Sequence, residues 1–369
     1  MLKKYRFLKY TLVTIVSLVL IVVCFGFWFK SLIPPKDLSL ENTTTQDISY
    51  LSEHKVSTRG KILAVVTSTA VMGTSNKKTG YELTELARSY YVFQANGFEV
   101  FVASPKGGKA PVVIDEEDMG IYDYAFLNDQ KAQSKVKNTL RLSTIDFTKY
   151  DAVFFVGGKG AMFDFPNHPK IIDMVQDYYE NDKVIGAVCH GPAALINVRL
   201  NNGSPLLKDK NITSFTNDEE LFLIPDAKKI FPFLLEEKIR AQGAKFNQNR
   251  KYLEKVCHDN NIITGQNPWS TWKVAETMVK QLGYTPKERE ITDEENAVAI
   301  LSIYKSKGKK IAKEKIKKMI VQENKPISRL LIAKHSVLAM MEGKVTDFFE
   351  LISLVSHIKN QEKRSNKNN

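Results

Sequence analysis

Val184-Ile185-Gly186-Ala187-Val188-Cys189-His190-Gly191-Pro192-Ala193-Ala194 is the stretch on which the reading of the chain turns. Its first half is a short, continuously apolar run, the pattern of a strand buried on both faces of a parallel sheet. Its second half is rich in small residues and opens a helix. A cysteine stands at the change-over. Strand, sharp turn with a nucleophile, helix start: this is the layout of a nucleophile elbow. Gly186 and Gly191 bracket Cys189 as a strained turn requires. A thiol placed there is expected to be acidified by the helix N-terminus and its free backbone N–H groups. His190 follows directly. The competing reading is a buried structural cysteine, the commonest fate of a lone Cys.

Composition bounds the rest. The chain has 369 residues, 43% hydrophobic and 25% charged, enough for a large globular domain plus an appendage. Its three cysteines, Cys24, Cys189 and Cys257, form no CxxC pair, so neither a disulfide framework nor a metal pair is expected. The net charge of +12 is uneven. By count the first thirty residues carry about +5 and the stretch after residue 284 about +7. The middle is near neutral, so nucleic acid is not an expected partner.

Outward from the elbow, the N-terminus reads as a membrane anchor. Lys3, Lys4, Arg6 and Lys9 lie in a basic segment over 1–10, followed by an uncharged run from Thr11 to Phe29. That run is long enough to cross a bilayer, with Trp28 and Phe29 at its far interface. Phe-Trp-Phe-Lys is a poor cleavage site, so an uncleaved single-pass helix over 11–33 is expected, in contact with the lipid bilayer. The positive-inside rule keeps the N-terminus cytoplasmic and puts the remainder outside. Residues 34–58, opening with Pro34-Pro35, read as a linker.

The globular domain spans 59–284. Lys61–Thr67, Phe98–Ser104 and Tyr150–Val156 are buried-strand patterns, and a helix with an apolar face runs from Glu82 to Asn96. Residues 109–146 read as an irregular polar excursion. Helices are expected over 169–181, 231–242 and up to about Leu282, and short strands over Asn211–Phe215 and Asn261–Gly265. Alternating strands and helices predict a doubly wound α/β fold with a mostly parallel sheet sandwiched by helices. Residues 285–359 show only helical patterns, over 291–319 and 326–359, and include eight lysines between Lys305 and Lys318. These read as a solvated helix face, with anionic lipid or an acidic partner as the sharper alternative. Residues 360–369 are expected to be disordered.

Strand ends on one edge of a parallel sheet gather at one crevice. Cys189-His190, Gly157-Gly158 and Glu219-Glu220 all lie at or just past such ends. A carboxylate reaching His190 would orient its ring, Gly158 could turn an N–H toward an oxyanion, and Glu85 could move protons.

Six ordered segments carry a resemblance. They are Thr79–Leu86, Gly97–Gly108, Val156–Met162, Ala187–Ala193, Ser214–Glu220 and Ile263–Pro268. Over about Lys61 to Leu282 the chain resembles the ThiJ/PfpI superfamily, which is flavodoxin-like and class I glutamine-amidotransferase-like in fold. It is most similar to the branch of stress chaperones and glutathione-independent glyoxalases (glyoxalase III, D-lactate dehydratase). The resemblance implies Cys189 as nucleophile and His190 as its triad neighbour. It implies Glu220 as the acidic member, with Glu219 as fallback, and Glu85 as the glutamate against the thiol, with Glu82 second. Gly158, and His190 through its backbone, would serve the oxyanion. Lys159 stands where the family often has His, and Ser89 where it often has Pro. The metal-binding histidine of some members is absent, with Arg88 nearby, so no metal and no cofactor are expected. The substrate implied is a small reactive carbonyl such as methylglyoxal. A deglycase or hydrolase would use the same residues. The other readings are a holdase chaperone or redox-sensing module with an oxidisable Cys189, and a partner-binding protein acting through the helical tail. A homodimer is a further implication of the resemblance.

Overall fold

Two joints divide the chain into Leu38–Glu290 and a second unit made of the residues up to Asp37 together with those from Ile291. The structure, a computed structural model, describes residues 2–53 and 56–368. The basic side chains expected at Lys3, Lys4, Arg6 and Lys9 lie outside its described part, as do His54, Lys55 and Asn369.

Helix α1 (Leu2–Leu32) carries the apolar segment, and its side chains from Tyr10 to Cys24 are exposed. Pro34-Pro35 follows, where the missing N–H groups stop the helix. Beyond it the sequence predicts a linker, but residues 38–53 form a strap packed on the domain. Two 3-10 turns, Leu38–Asn42 and Thr45–Asp47, lead into α2 (Ser49–Ser52). Ile48 and Tyr50 are buried. Asn128 Nδ2 donates to the carbonyls of Glu41 and Thr43 at 2.9 Å, and Lys287 Nζ donates to those of Tyr50 and Glu53 at 2.6 Å. The few apolar anchors are scattered among polar residues, so no periodicity announces them.

The chain then builds the sheet: β1 (Gly60–Val65), β2 (Tyr81–Glu82), α3 (Leu83–Ala95), β3 (Phe98–Ser104) and β4 (Val112–Val113). The excursion expected to be irregular contains α4 (Ile121–Asn128), α5 (Gln130–Lys137) and β5 (Leu140–Arg141). Each helix is only eight residues long, too short to display a full apolar stripe. Next come β6 (Ala152–Phe155), α6 (Ala161–Asp164), α7 (Pro169–Glu180), β7 (Val184–Val188), β8 (Asn211–Ile212), α8 (Asn217–Leu223), α9 (Ala227–Ile230) and α10 (Leu235–Ala241). The unit closes with β9 (Lys245–Phe246), β10 (Val256–Asp259), β11 (Ile262–Gly265) and α11 (Thr271–Gln281).

Seven strands make the main sheet in the order β10-β11-β7-β6-β1-β3-β5, parallel throughout except for the antiparallel β10–β11 edge. β8 is not among them. It pairs with β9 in a separate two-stranded sheet. Alternation along each strand feeds two cores. Ile62, Ala64 and Phe154 pack on one face with α3 and α11, while Leu63, Val65 and Phe155 pack on the other with α7. Gly186 lies inside β7 rather than at the turn. A Cβ there would meet Met278 Sδ of α11 at 2.2 Å, so its role is close helix-to-strand packing.

The second unit adds α12 (Asp293–Lys317), a π-turn over Lys318–Gln322, α13 (Arg329–Met341) and α14 (Val345–Asn368). Thr292 caps α12 by accepting from Glu295 N at 3.1 Å. The single pattern over 326–359 is two helices, broken at Gly343, whose φ of 72° ends α13. Residues 360–368, expected to be disordered, continue α14, because no Gly or Pro intervenes to stop it.

The strap gives a direct test. Tyr50 is 4% exposed and sets its ring edge-on to Tyr122. Tyr50→Ala should lower the stability of the Leu38–Glu290 unit by about 3 kcal/mol, read as a fall in the urea midpoint at unchanged slope. An unchanged midpoint would mean that the strap adds nothing to the fold.

Candidate active site

β7 delivers Cys189 to the end of the sheet, and the backbone turns there with φ 58° at Cys189 itself. The strain that the sequence assigns to flanking glycines therefore falls on the cysteine. Gly191 has another function: a Cβ there would meet the Phe155 carbonyl oxygen at 2.2 Å. Two backbone hydrogen bonds hold the turn. Cys189 N donates to Gly265 O at 2.9 Å, and Phe215 N donates to Cys189 O at 2.8 Å.

Three side chains stand in line. Cys189 Sγ is 3.2 Å from His190 Nδ1, and His190 Nε2 is 2.6 Å from Glu220 Oε2. The His190 ring lies against Phe215, centroids 4.7 Å apart, a contact that sequence reasoning missed. All three are at most 5% exposed. Glu219, next to Glu220 on α8, is otherwise engaged. Its Oε2 accepts from Thr216 N and Oγ1, and its Oε1 accepts from Tyr252 N, Gln266 Nε2 and Asn267 Nδ2. It closes the cap of α8 and pins the loop after β11, while Glu220 reaches the imidazole.

Glu85, in the first turn of α3, is fully buried, and its Oε2 accepts from Gly157 N at 2.7 Å. Its Oε1 has no nitrogen or oxygen partner among the described residues, and its carboxyl faces the Cys189 thiol. Gly157 is wedged between Glu85 and Cys189: a Cβ there would meet Glu85 Oε2 at 2.5 Å and Cys189 Cβ at 2.8 Å. The sequence presents Gly157 only as part of a turn, but its absent side chain is what lets Glu85 approach the thiol. Gly158, with φ 98°, abuts the Gly80 carbonyl, where a Cβ would sit at 2.3 Å. Glu82 lies one turn before Glu85, at the cap of α3.

The electrostatics depart from the expectation of an acidified thiol. Burial, then the charge of Glu85, push the Cys189 thiol well above its usual range, with Lys159 opposing. The segment after the elbow is a five-residue 3-10 turn, Gly191–Leu195, too short for a substantial helix dipole. Burial, then Glu82, raise Glu85 well above the carboxylate range. Burial likewise raises Glu82 to about 8, against the pull of Lys159. Glu220 is the exception. Burial pushes it up, but the His190 charge and hydrogen bond outweigh that, and its pKa falls. Lys159, half-buried in the loop after β6, draws down the pKa values of Glu82, Glu85, Cys189 and Glu220 alike.

No group of three His, Cys, Asp or Glu among the described residues is arranged to hold a metal ion. Arg88 forms a buried ion pair with Asp123 at 3.0 Å.

A thiol on a left-handed turn at the end of a central parallel strand, aligned with His and Glu, defines an α/β protein of the cysteine-elbow class. The chain belongs to the DJ-1/PfpI family, whose match covers residues 77–281. Glyoxalase 3 of Candida albicans is 29% identical over 229 residues, 59% of this chain and 96% of that protein. A glutathione-independent glyoxalase of Schizosaccharomyces pombe is 30% identical, over 56% of this chain and 90% of that one. Among solved structures, Rapid Encystment Protein 24 KDa of Francisella tularensis is 38% identical with a TM-score of 0.58. The alignment covers 61% of this chain and 99% of that one. Glyoxalase III of Candida albicans aligns with a TM-score of 0.56 at 28% identity, over 60% of this chain and 97% of that one.

Because Glu85 adds negative charge against a buried thiol, Glu85→Gln should make Cys189 ionise at lower pH. The check is the pH dependence of alkylation by iodoacetamide, whose onset should move to lower pH in the variant. An unmoved profile would mean that Glu85 does not govern the thiol.

Proposed function

We infer that this chain is a membrane-anchored, glutathione-independent glyoxalase that converts methylglyoxal to D-lactate. The observation that carries this reading is the buried line Cys189–His190–Glu220 with Glu85 set against the same sulfur through Gly157. The curated relatives named glyoxalase support the same reaction type.

The chemistry follows from these positions. His190, held by Glu220, takes the proton of the Cys189 thiol, and the sulfur attacks the aldehyde carbon to give a hemithioacetal. Backbone N–H groups at Gly158 and His190 receive the developing oxyanion. A carboxyl with a raised pKa suits general acid–base work near neutral pH. Glu85 removes the proton from the former aldehyde carbon, giving an enediol, and returns a proton to the neighbouring carbon. The product at this stage is a lactoyl thioester on Cys189. Water then cleaves it to D-lactate and restores the thiol, and the atoms balance with water alone. Lys159 limits the negative charge that gathers as the thiolate and enediolate form. A deglycase or hydrolase would use the same acyl-thioester step. The reading of Cys189 as a freely oxidised sensor has less support, because burial and Glu85 both disfavour its thiolate.

The anchor is α1. The helix from Tyr10 to Leu32 is long and apolar enough to cross a membrane, and its side chains from Tyr10 to Cys24 are exposed. The reading keeps α1 uncleaved, with the N-terminus cytoplasmic and the catalytic unit outside.

The test uses the full chain, supplied with methylglyoxal and no glutathione, with D-lactate measured by a stereospecific assay. Cys189→Ser should lower turnover by about three orders of magnitude or more, and Glu85→Gln by about 100-fold or more. Glu85→Gln would thus lose turnover even as its thiol ionises more readily. Wild-type protein that alkylates at Cys189 but yields no D-lactate would rule out the dicarbonyl substrate.

A further inference from the structure

The unit built from α1, α12, α13 and α14 contains a groove of about 430 Å³ that the catalytic chemistry does not use. It runs between α1 and α14. The two helices lie parallel: Phe25 meets Phe348 at 6.1 Å between ring centroids, while further along Lys359 Nζ donates to the Ser31 carbonyl at 2.5 Å. The groove changes character in that direction. Its first part is lined by Phe25, Phe349 and Ile352, its far part by Ser356, His357 and Asn360, with Lys313 of α12 beside His357. Trp28 stands between the two parts.

This gradient matches the direction in which α1 leaves its apolar window. Phe25 lies about 5 Å along the axis before Trp28, on the acyl-chain side of the interface that Trp28 and Phe29 mark. Next to the apolar end, the turn from α13 to α14 exposes Met341, Val345 and Phe349. That cluster suits a lipid interface better than water. The polar end is cationic. Lys305, Lys309 and Lys315 are paired with Asp347, Glu350 and Glu323, but Lys313 has no carboxylate partner among the described residues.

We propose that the groove between α1 and α14 binds one anionic phospholipid of the leaflet nearest the end of α1. Its acyl chain lies against Phe25, Phe349 and Ile352, and its phosphate lies at Lys313 with Ser356 and Asn360. The proposal rests on the reading of α1 as a membrane span. It makes the helical unit a lipid-binding collar on the anchor rather than a soluble tail.

The experiment places the full chain in nanodiscs of equal phosphatidylglycerol and phosphatidylcholine and counts retained lipid by native mass spectrometry. Wild type should retain phosphatidylglycerol over phosphatidylcholine by about five-fold, the ratio that one lysine near a phosphate supplies. Lys313→Glu should bring that ratio to about one, and Lys313→Arg should keep it. Ser353→Trp, which fills the groove, should lower total retention, with far-UV circular dichroism confirming that the helices persist. Equal ratios in wild type and Lys313→Glu would overturn the proposal. So would loss of the retained lipid to excess inorganic phosphate, which would mark a free-anion site. A carbonate wash of vesicles separates the two readings. Protein that stays in the vesicles but shows no lipid preference refutes the groove alone, whereas protein released by the wash refutes the span and the groove together.

Discussion

The site depends on one backbone turn held in an unfavourable conformation. A non-glycine residue at φ 58° costs on the order of 1–3 kcal/mol. Two backbone hydrogen bonds, to Gly265 O and from Phe215 N, contribute about 1 kcal/mol each and fix the turn from both sides. Because those partners lie at the end of β11 and after β8, the elbow ties two further segments of chain to one position. The same segments bring in His190's stacking partner and, one residue past Phe215, the cap of α8 that aims Glu220. The strained turn and the aligned side chains are therefore one construction.

Charge is the second constraint. Three carboxyls, of Glu85 and Glu220 buried and of Glu82 half-buried, and the Cys189 thiol crowd around half-buried Lys159, and three of the four groups are pushed toward their neutral forms. Only Glu220 is hydrogen-bonded directly to an imidazole, that of His190, and only its pKa is lowered. The charge of a Glu85 carboxylate thus works against a thiolate at Cys189. Such a pair is suited to a carboxylate base beside a neutral thiol, and less suited to holding a permanent thiolate.

Much of the architecture was legible in the sequence because parallel strands buried on both faces leave continuous apolar runs. The runs at Lys61–Thr67, Phe98–Ser104, Tyr150–Val156 and the elbow are of this kind. What stayed hidden has physical reasons. The strap at 38–53 is held by backbone carbonyls and a few isolated anchors, which leave no period. α4 and α5 are eight residues each. Glu219 and Glu220 are adjacent, so only their hydrogen bonds distinguish the cap from the imidazole partner. Gly157 was visible as a turn, but its value lies in a Cβ that would have met Glu85 and Cys189. The thiol's shift was misjudged in sign, because a motif shows the helix start and not the depth of burial or the nearness of a carboxylate on α3.

The chain crosses between its two units twice, after Asp37 and after Glu290. A domain held by one leash is freed by one cut. Here a protease that severs either joint leaves the catalytic unit covalently joined to one part of the helical unit. That part is still packed against the other, through contacts such as Phe25 with Phe348. Separation of the catalytic unit from α1 would need two cleavages, so the double connection works as a safeguard against its loss.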